Sequence, residues 1–377
     1  MASIRAADAM LPALAADFGR VPSDTAAVIT AFALAYGLMQ LVWGPLGDRI
    51  GKLRVIGWAA LAATLGSLMC ALAPTLPLLT AARLLTGACC AAIIPLAIAF
   101  VGDTVAYEVR QATLARLATG TLTGLIAGQV LGGLAADTVG WRAAFGGLAL
   151  LFLVAGTAML RMQARLPRPA PPAARAGGLA ALLRGYGAVL ATGWARTVIA
   201  VAFLEGALLF GPLAFVPTWL HQRTGLTLAG AGGVVAAVGV GGLLYTFTAK
   251  RWIAALGERG LATGGAALIA AAFTVLVAGV NAGAGRPLEV AACLFVGIGF
   301  YMLHNTLQTL ATQLAPGARA TAIGLFAVAL FMGQSVGVEI AARLGPLIGF
   351  GTVFVGGGLL LALTGAVLGV GIARRRA

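Results

Sequence analysis

The feature that most constrains this chain is a train of apolar stretches, each about 20 residues long, that recurs with short polar breaks along the sequence. Coiled as helix, about 20 residues rise about 30 Å, the thickness of a bilayer's hydrocarbon layer. Spans are read near residues 25–47, 54–73, 78–102, 113–136 and 142–160, and, after a long break, near 194–220, 228–250, 260–280, 287–313, 320–342 and 346–372. The segment from Ala6 to Phe18, which holds Asp8 and Pro12, makes a twelfth that is too short to cross alone. Hydrophobic residues are 60% and charged residues 10% of the 377. Soluble domains carry roughly 25% charge, so this chain needs lipid as part of its solvent. It reads as an all-α polytopic membrane protein.

The long break, Met162–Gly187, is rich in Pro167, Pro169, Pro171, Pro172, Arg165, Arg168, Arg175 and Arg184. It divides the chain into residues 1–161, a linker over 162–190, and residues 191–377. The halves echo one another. Gly37 and Gly242, Gly128 and Gly333, Gln129 and Gln334, and Gly132 and Gly337 are each 205 positions apart, and Gly51 and Gly257 miss that register by one. This is the trace of an internal duplication with a site at the interface.

The net charge of +14 is a topology signal. Arg49, Lys52, Arg54, Arg110, Arg116, the linker arginines, Lys250, Arg251, Arg259, Arg319 and Arg374 to Arg376 fall on one side, and only Arg20, Arg142, Arg223, Arg286 and Arg343 on the other. By the positive-inside rule the first side is cytoplasmic, with both termini and the linker inside the plasma (inner) membrane. That placement argues against a nucleic-acid partner. No cleavable signal peptide is read at the N-terminus. Cys70, Cys89, Cys90 and Cys293 lie in apolar runs without metal-ligand spacing, so neither metal nor cofactor is expected.

Gly44-Pro45-Leu46-Gly47-Asp48-Arg49-Ile50-Gly51-Lys52 resembles the signature loop between helices 2 and 3 of the major facilitator superfamily. The resemblance implies two six-helix bundles related by a pseudo-two-fold axis, alternating access, and a monomer. It gives Gly44, Asp48, Arg49, Gly51 and Lys52 a gating role, with Asp103 as charge partner; Asp48 can also accept from a helix N-terminus. The second half carries a worn copy, Gly241-Gly242-Leu243, Arg251 and Gly257-Glu258-Arg259-Gly260, with apolar Ile253 or Ala254 in place of Asp48. Arg83 followed by Gly87 resembles helix 4 of the drug:proton antiporters, and Gly124 to Gly133 resembles their helix 5, with Gln129 in place of the usual proline. Gly140-Trp141-Arg142-Ala143-Ala144-Phe145 resembles the start of their helix 6. Family members have a complete first span, so the resemblance implies that about ten residues are missing or that translation starts upstream.

A proton-coupled carrier needs ionisable groups in a low-dielectric cavity, and few are on offer. Glu205, midway along helix 7, is the first candidate proton carrier, Asp8 the second, and Arg83 a buried cation that steers the proton or an anionic group. His304, Asn305 and Gln308 form a polar stripe on helix 10, with Tyr301 one turn before Asn305. With Tyr36, Gln40 and Gln129 they are the candidate substrate contacts. Glu339 and Arg343 are spaced for a local ion pair, and Trp219 for an interface anchor. The functional expectation is a secondary transporter, a proton-coupled exporter of hydrophobic or amphipathic small molecules. A polar metabolite such as a sugar, amino acid or siderophore is the alternative cargo. A non-transporting sensor and a membrane-embedded enzyme are remote, since no folded soluble domain and no convergent catalytic set is visible.

Overall fold

Inside a bilayer every backbone N–H and C=O must find its partner within the protein, and helices are the local solution. The computed structural model describes residues 1–165, 179–315 and 319–376, and every regular element among them is helical. The first helix, α1, is in three pieces: Ala2–Arg5, a tight 3-10 turn Asp8–Met10, and Leu11–Phe18. The first half continues with α2 (Pro22–Ile50), α3 (Lys52–Ala71), α4 (Leu76–Thr104), α5 (Tyr107–Thr138) and α6 (Trp141–Arg165). The second half comprises α7 (Gly193–Thr224), α8 and α9 (together Leu228–Asn281), α10 (Arg286–Gln313), α11 (Arg319–Ile348) and α12 (Phe350–Arg376).

Ten of these described helices are long and apolar enough to cross a membrane. The one over Leu228–Asn281 has 54 residues, about 80 Å if straight, and Gly257 breaks it into two crossings at φ 59, ψ −179. Gly51 stands at φ 97 between α2 and α3. The same hinge therefore recurs in each half, at a backbone angle that disfavours any residue with a Cβ.

The repeat is also visible in how the helices touch. Gly128 and Gly132 of α5 lie against the backbone of Ala2 and Ala6 in α1, and Gly333 and Gly337 of α11 against Phe203 and Ala207 in α7. In each half, glycines four apart let one helix approach the first helix of that half backbone to backbone. The outer surface is apolar: Phe247 and Leu347 are each 78% exposed. In water such a surface would drive association; in lipid it is the ordinary outside of the protein.

Two expectations change. The first segment is broken rather than one short span, yet it is core: Met10, Leu11 and Leu14 are fully buried. The linker is partly helical: α6 runs to Arg165, and Leu179–Leu190 forms a short helix whose Val189 packs with Ala195 and Ala322. The four prolines with Arg168 and Arg175 lie outside the described residues.

Candidate functional site

The first-half cluster is built on the broken start of α1. Arg5 and Asp8 are three residues apart, one helical turn, and the Arg5 Nη1 to Asp8 Oδ2 distance is 3.1 Å. Gln129 of α5 donates its Nε2–H to the same oxygen at 3.2 Å. Asp8 is fully buried, and its Oδ1 has no hydrogen-bond partner. Arg83 of α4 is also fully buried, not snorkelling. It donates to the Val28 carbonyl at 3.4 Å and the Ser3 hydroxyl at 3.1 Å, and its guanidinium lies 4.1 Å from the centre of the Phe32 ring. Its Nη2 has no partner. Charges are taken out of water only when other groups compensate them, and here hydrogen bonds and a ring face share that role.

The second-half cluster is centred on Glu205. The regular part of α7 ends at Glu205, and Gly206–Phe210 is a π-helical turn. Pro212 has no N–H to donate to Leu208, so the helical ladder slips where it would otherwise be regular. Glu205 is fully buried; its Oε2 is 2.9 Å from His304 Nδ1, and its Oε1 has no partner. The His304 ring, from α10, sits among Phe300 at 4.8 Å and Phe326 at 5.3 Å. The pairing of Ala2 with Phe203 and Ala6 with Ala207 in the repeat puts Glu205 at the level of Ile4, one turn before Asp8. The two carboxylates thus stand on the first helices of the two halves, offset along them by one helical turn.

A chain of contacts joins them. The Arg5 guanidinium lies 4.4 Å from the centre of the Phe210 ring, crossing from one half to the other. Phe210 meets Phe300 at 5.0 Å, and Phe300 meets both Tyr301 and His304 at 4.8 Å. Of the other expected contacts, Tyr36 is buried between Phe32 and Phe331, with its ring 4.3 Å from that of Phe331 in α11. Gln40, Tyr301 and Asn305 are half-buried, and Gln308 is exposed.

At the loop after α2, the cation between the two acids is Lys52. Its Nζ is 2.9 Å from Asp48 Oδ1 and 2.5 Å from Asp103 Oδ2, while Arg49 is exposed. The structure places Lys52 here because it opens α3, one turn after Asp48. A carboxylate does sit on a helix N-terminus, but at the opposite end: Asp137 of α5 accepts from the N–H groups at the start of α8. Beside it, Asp17 accepts from Arg142 at 2.6 Å and from the Trp141 indole at 3.3 Å, tying the end of α1 to the start of α6. Sequence reading missed Arg5, Asp17 and Asp137. For Arg5 the signal was there, a basic residue one turn before Asp8 in an apolar run. Glu339 and Arg343 form the local pair expected, at 2.8 Å.

Lipid-facing helices in two repeated halves, with paired charges held at the seam between them, define a multi-pass membrane transporter. The profile of the Major Facilitator Superfamily matches residues 1–338, and the chain belongs to that superfamily. It is 25% identical to the uncharacterised MFS-type transporter YceJ of Bacillus subtilis over 342 residues, 89% of this chain and 83% of that protein. It is 30% identical over 240 residues to the putative multidrug resistance protein MdtD of Cronobacter sakazakii, covering 64% of this chain and 45% of that one. It is 31% identical over 216 residues to the cephamycin export protein CmcT of Amycolatopsis lactamdurans, 55% of this chain and 44% of that one. Among solved structures it resembles the nucleoside transporter NupG, at TM-score 0.74 and 15% identity over 97% of this chain and 96% of that one. An auto-inhibited POT family peptide transporter is similar at TM-score 0.74 and 14% identity, over 100% and 95% of the two chains. These two likenesses show the fold.

Proposed function

We propose that this protein is a proton-coupled exporter of small hydrophobic or amphipathic molecules. Residues 1–161 and 191–377 form two bundles joined by the linker 162–190, and they rock about a central cavity in the plasma membrane, with both termini cytoplasmic. The observation that carries the reading is the fully buried Glu205, paired with His304 at the π turn of α7. A carboxylate held out of water at the interface between two moving bundles changes its solvation each time the cavity changes sides, which is what proton coupling requires. Glu205 and Asp8 carry the proton, and Arg83 fixes the charge of the first-half cluster. Asp48, Arg49, Lys52 and Asp103, with Gly44 and Gly51 shaping the loop, form the inner gate. Tyr36, Gln40, Gln129, Tyr301, His304, Asn305 and Gln308 contribute to substrate contact. The relatives named for multidrug resistance and cephamycin export support the outward direction.

The test is internal pH in proteoliposomes under an imposed proton gradient, with lipophilic compounds, sugars and amino acids added in turn. Proton flux that depends on a lipophilic compound and is abolished by Glu205→Gln is the expected result. Flux with sugars or amino acids alone would move the protein to the polar-metabolite class, and normal proton-linked transport by Glu205→Gln would remove Glu205 from the mechanism.

A further inference from the structure

Among the described residues, Arg5 is the buried charge at the seam that the proton-carrier scheme does not use. It touches both halves. Its guanidinium holds Asp8 on one side and covers the Phe210 ring on the other. Phe210 closes the π turn that begins immediately after Glu205. The two carboxylates each keep one fully buried oxygen without a partner, Asp8 Oδ1 and Glu205 Oε1.

We infer that Arg5 is a counter-ion shared by the two carboxylates: it pairs with Asp8 when Asp8 is ionised, and crosses the Phe210 ring to the open oxygen of Glu205 when Asp8 carries a proton. The inference rests on the proton-coupled reading above and makes Arg5 a positioning residue within it. A guanidinium cannot give up its proton in a protein, so protonating Asp8 leaves a buried cation with a ring face as its main support. A ring face only partly compensates such a charge, and the other carboxylate within the same contact chain compensates it better.

The groups facing these sites leave Arg5 as the mobile one. Asp8 is faced by Arg5 on its own segment, by Gln129 from α5 and by Arg83 from α4. Arg83 donates to the Val28 carbonyl and Ser3 and lies on the Phe32 ring, all partners within the first half, so only Arg5 of the two guanidiniums touches the second half. Arg5 is faced by Phe210 from α7 and Tyr301 from α10, and Glu205 by His304 from α10. The π turn that follows Glu205 loosens the helical ladder on the receiving side. Each cycle moves one proton, because the pair is reset when Asp8 passes its proton to Glu205 and Arg5 returns to Asp8. An O–H bond forms on Asp8 with a proton from the outer aqueous side, Arg5 moves, and the O–H bond of Glu205 breaks, with its proton leaving through His304 to the inner side. One carboxylate loads as the other empties, and Arg5 links the two events.

The test is infrared titration of the carboxyl bands in nanodiscs without substrate, with Asp8→Asn and Glu205→Gln assigning the bands. In the otherwise unchanged protein, Glu205→Gln is expected to move the Asp8 transition by about tenfold in proton concentration, the coupling at which two sites titrate as a pair. In an Arg5→Gln background the same substitution should move it by less than about twofold, and Arg5→Lys should restore part of the coupling. Phe210→Leu, which leaves the Arg5–Asp8 pair in place, should weaken the coupling as well and serves if Arg5→Gln does not fold. Equal coupling with and without Arg5, or with and without the Phe210 ring, overturns the inference. Coupled titration without proton-linked flux in proteoliposomes would instead sink the exporter reading and leave the shared counter-ion standing.

Discussion

Asp137 of α5 caps the first turn of α8 across the two halves: its Oδ1 accepts from the Leu228 N–H at 3.1 Å and its Oδ2 from the Ala229 N–H at 2.7 Å. Those N–H groups have no partner within their own helix, and the carboxylate also meets the positive end of the helix dipole. Gly133 lies against the Leu228 backbone and Gly232 against the Gln129 backbone, so α5 and α8 touch closely over the same stretch. The contact locks the two halves at the end away from the Lys52 loop.

Removing that cap should open the far end. A Ser, Thr, Asn or Asp cap is worth about 0.5–2 kcal/mol, which shifts a two-state equilibrium by roughly 2- to 30-fold. Spin labels at Val139 and Gln222, both exposed near that end, should show a longer-distance population in Asp137→Ala that is minor in the unaltered protein. Asp137→Asn, which can still accept one hydrogen bond, should lie between them. Identical distance distributions in all three would mean that the cap does not hold the halves.

The Glu205–His304 pair should behave as a unit. Deleting the imidazole leaves a buried carboxyl with neither oxygen partnered, a loss of about 1–3 kcal/mol, while Glu205→Gln costs less because an amide carries no charge to desolvate. In thermal unfolding of the detergent-solubilised protein, His304→Ala should therefore be strongly destabilising alone and much less so in the Glu205→Gln background. Strictly additive effects would show that the 2.9 Å contact contributes nothing.

The repeated glycines give a stability prediction with an internal control. A Cβ on Gly333 would overlap the Phe203 carbonyl, and one on Gly128 the Ala2 carbonyl, and backbone cannot step aside as a side chain can. Gly333→Ala and Gly128→Ala should each cost about 1–3 kcal/mol. Gly120, on the same helix as Gly128, has open space around its Cβ position, so Gly120→Ala should be neutral or stabilise by up to about 1 kcal/mol. The three melting temperatures settle the point; equal shifts at Gly120 and Gly128 would mean that α5 does not approach α1 this closely.

The crossings were legible in the sequence because hydrocarbon thickness fixes their length, and the duplication because glycines at a helix seam cannot be replaced. The pairing of Glu205 with His304 was not legible. Both stood out as polar residues in apolar spans, but 99 residues separate them, and only the packing of α7 on α10 brings them together. Asp137 was hidden for a different reason: an acidic residue at the end of a span looks like an ordinary solvated charge until a helix N-terminus from the other half is placed above it. The family pattern named both Arg49 and Lys52, and the spacing of Asp48 and Lys52, four apart, already allowed the pair that forms.

If the loop is the gate proposed above, substitution at Lys52 should separate gating from stability. Its ammonium lies between carboxylates that are 63% and 60% exposed, and exposed pairs of this kind are worth only about 0–1 kcal/mol. Lys52→Ala should therefore leave the melting temperature almost unchanged. The same substitution puts Asp48 and Asp103, one at the end of α2 and one at the end of α4, near each other with no cation between them, so they repel where the gate must close. Transport should fall by about 3-fold or more at low salt and recover partly at about 1 M salt, where exposed charges are screened within about 3 Å. Lys52→Arg should keep most of the rate, and Lys52→Ala with Asp103→Asn should restore part of what Lys52→Ala loses. A loss of rate that tracked a loss of melting temperature, with no response to salt, would make Lys52 a structural residue and not part of the gate.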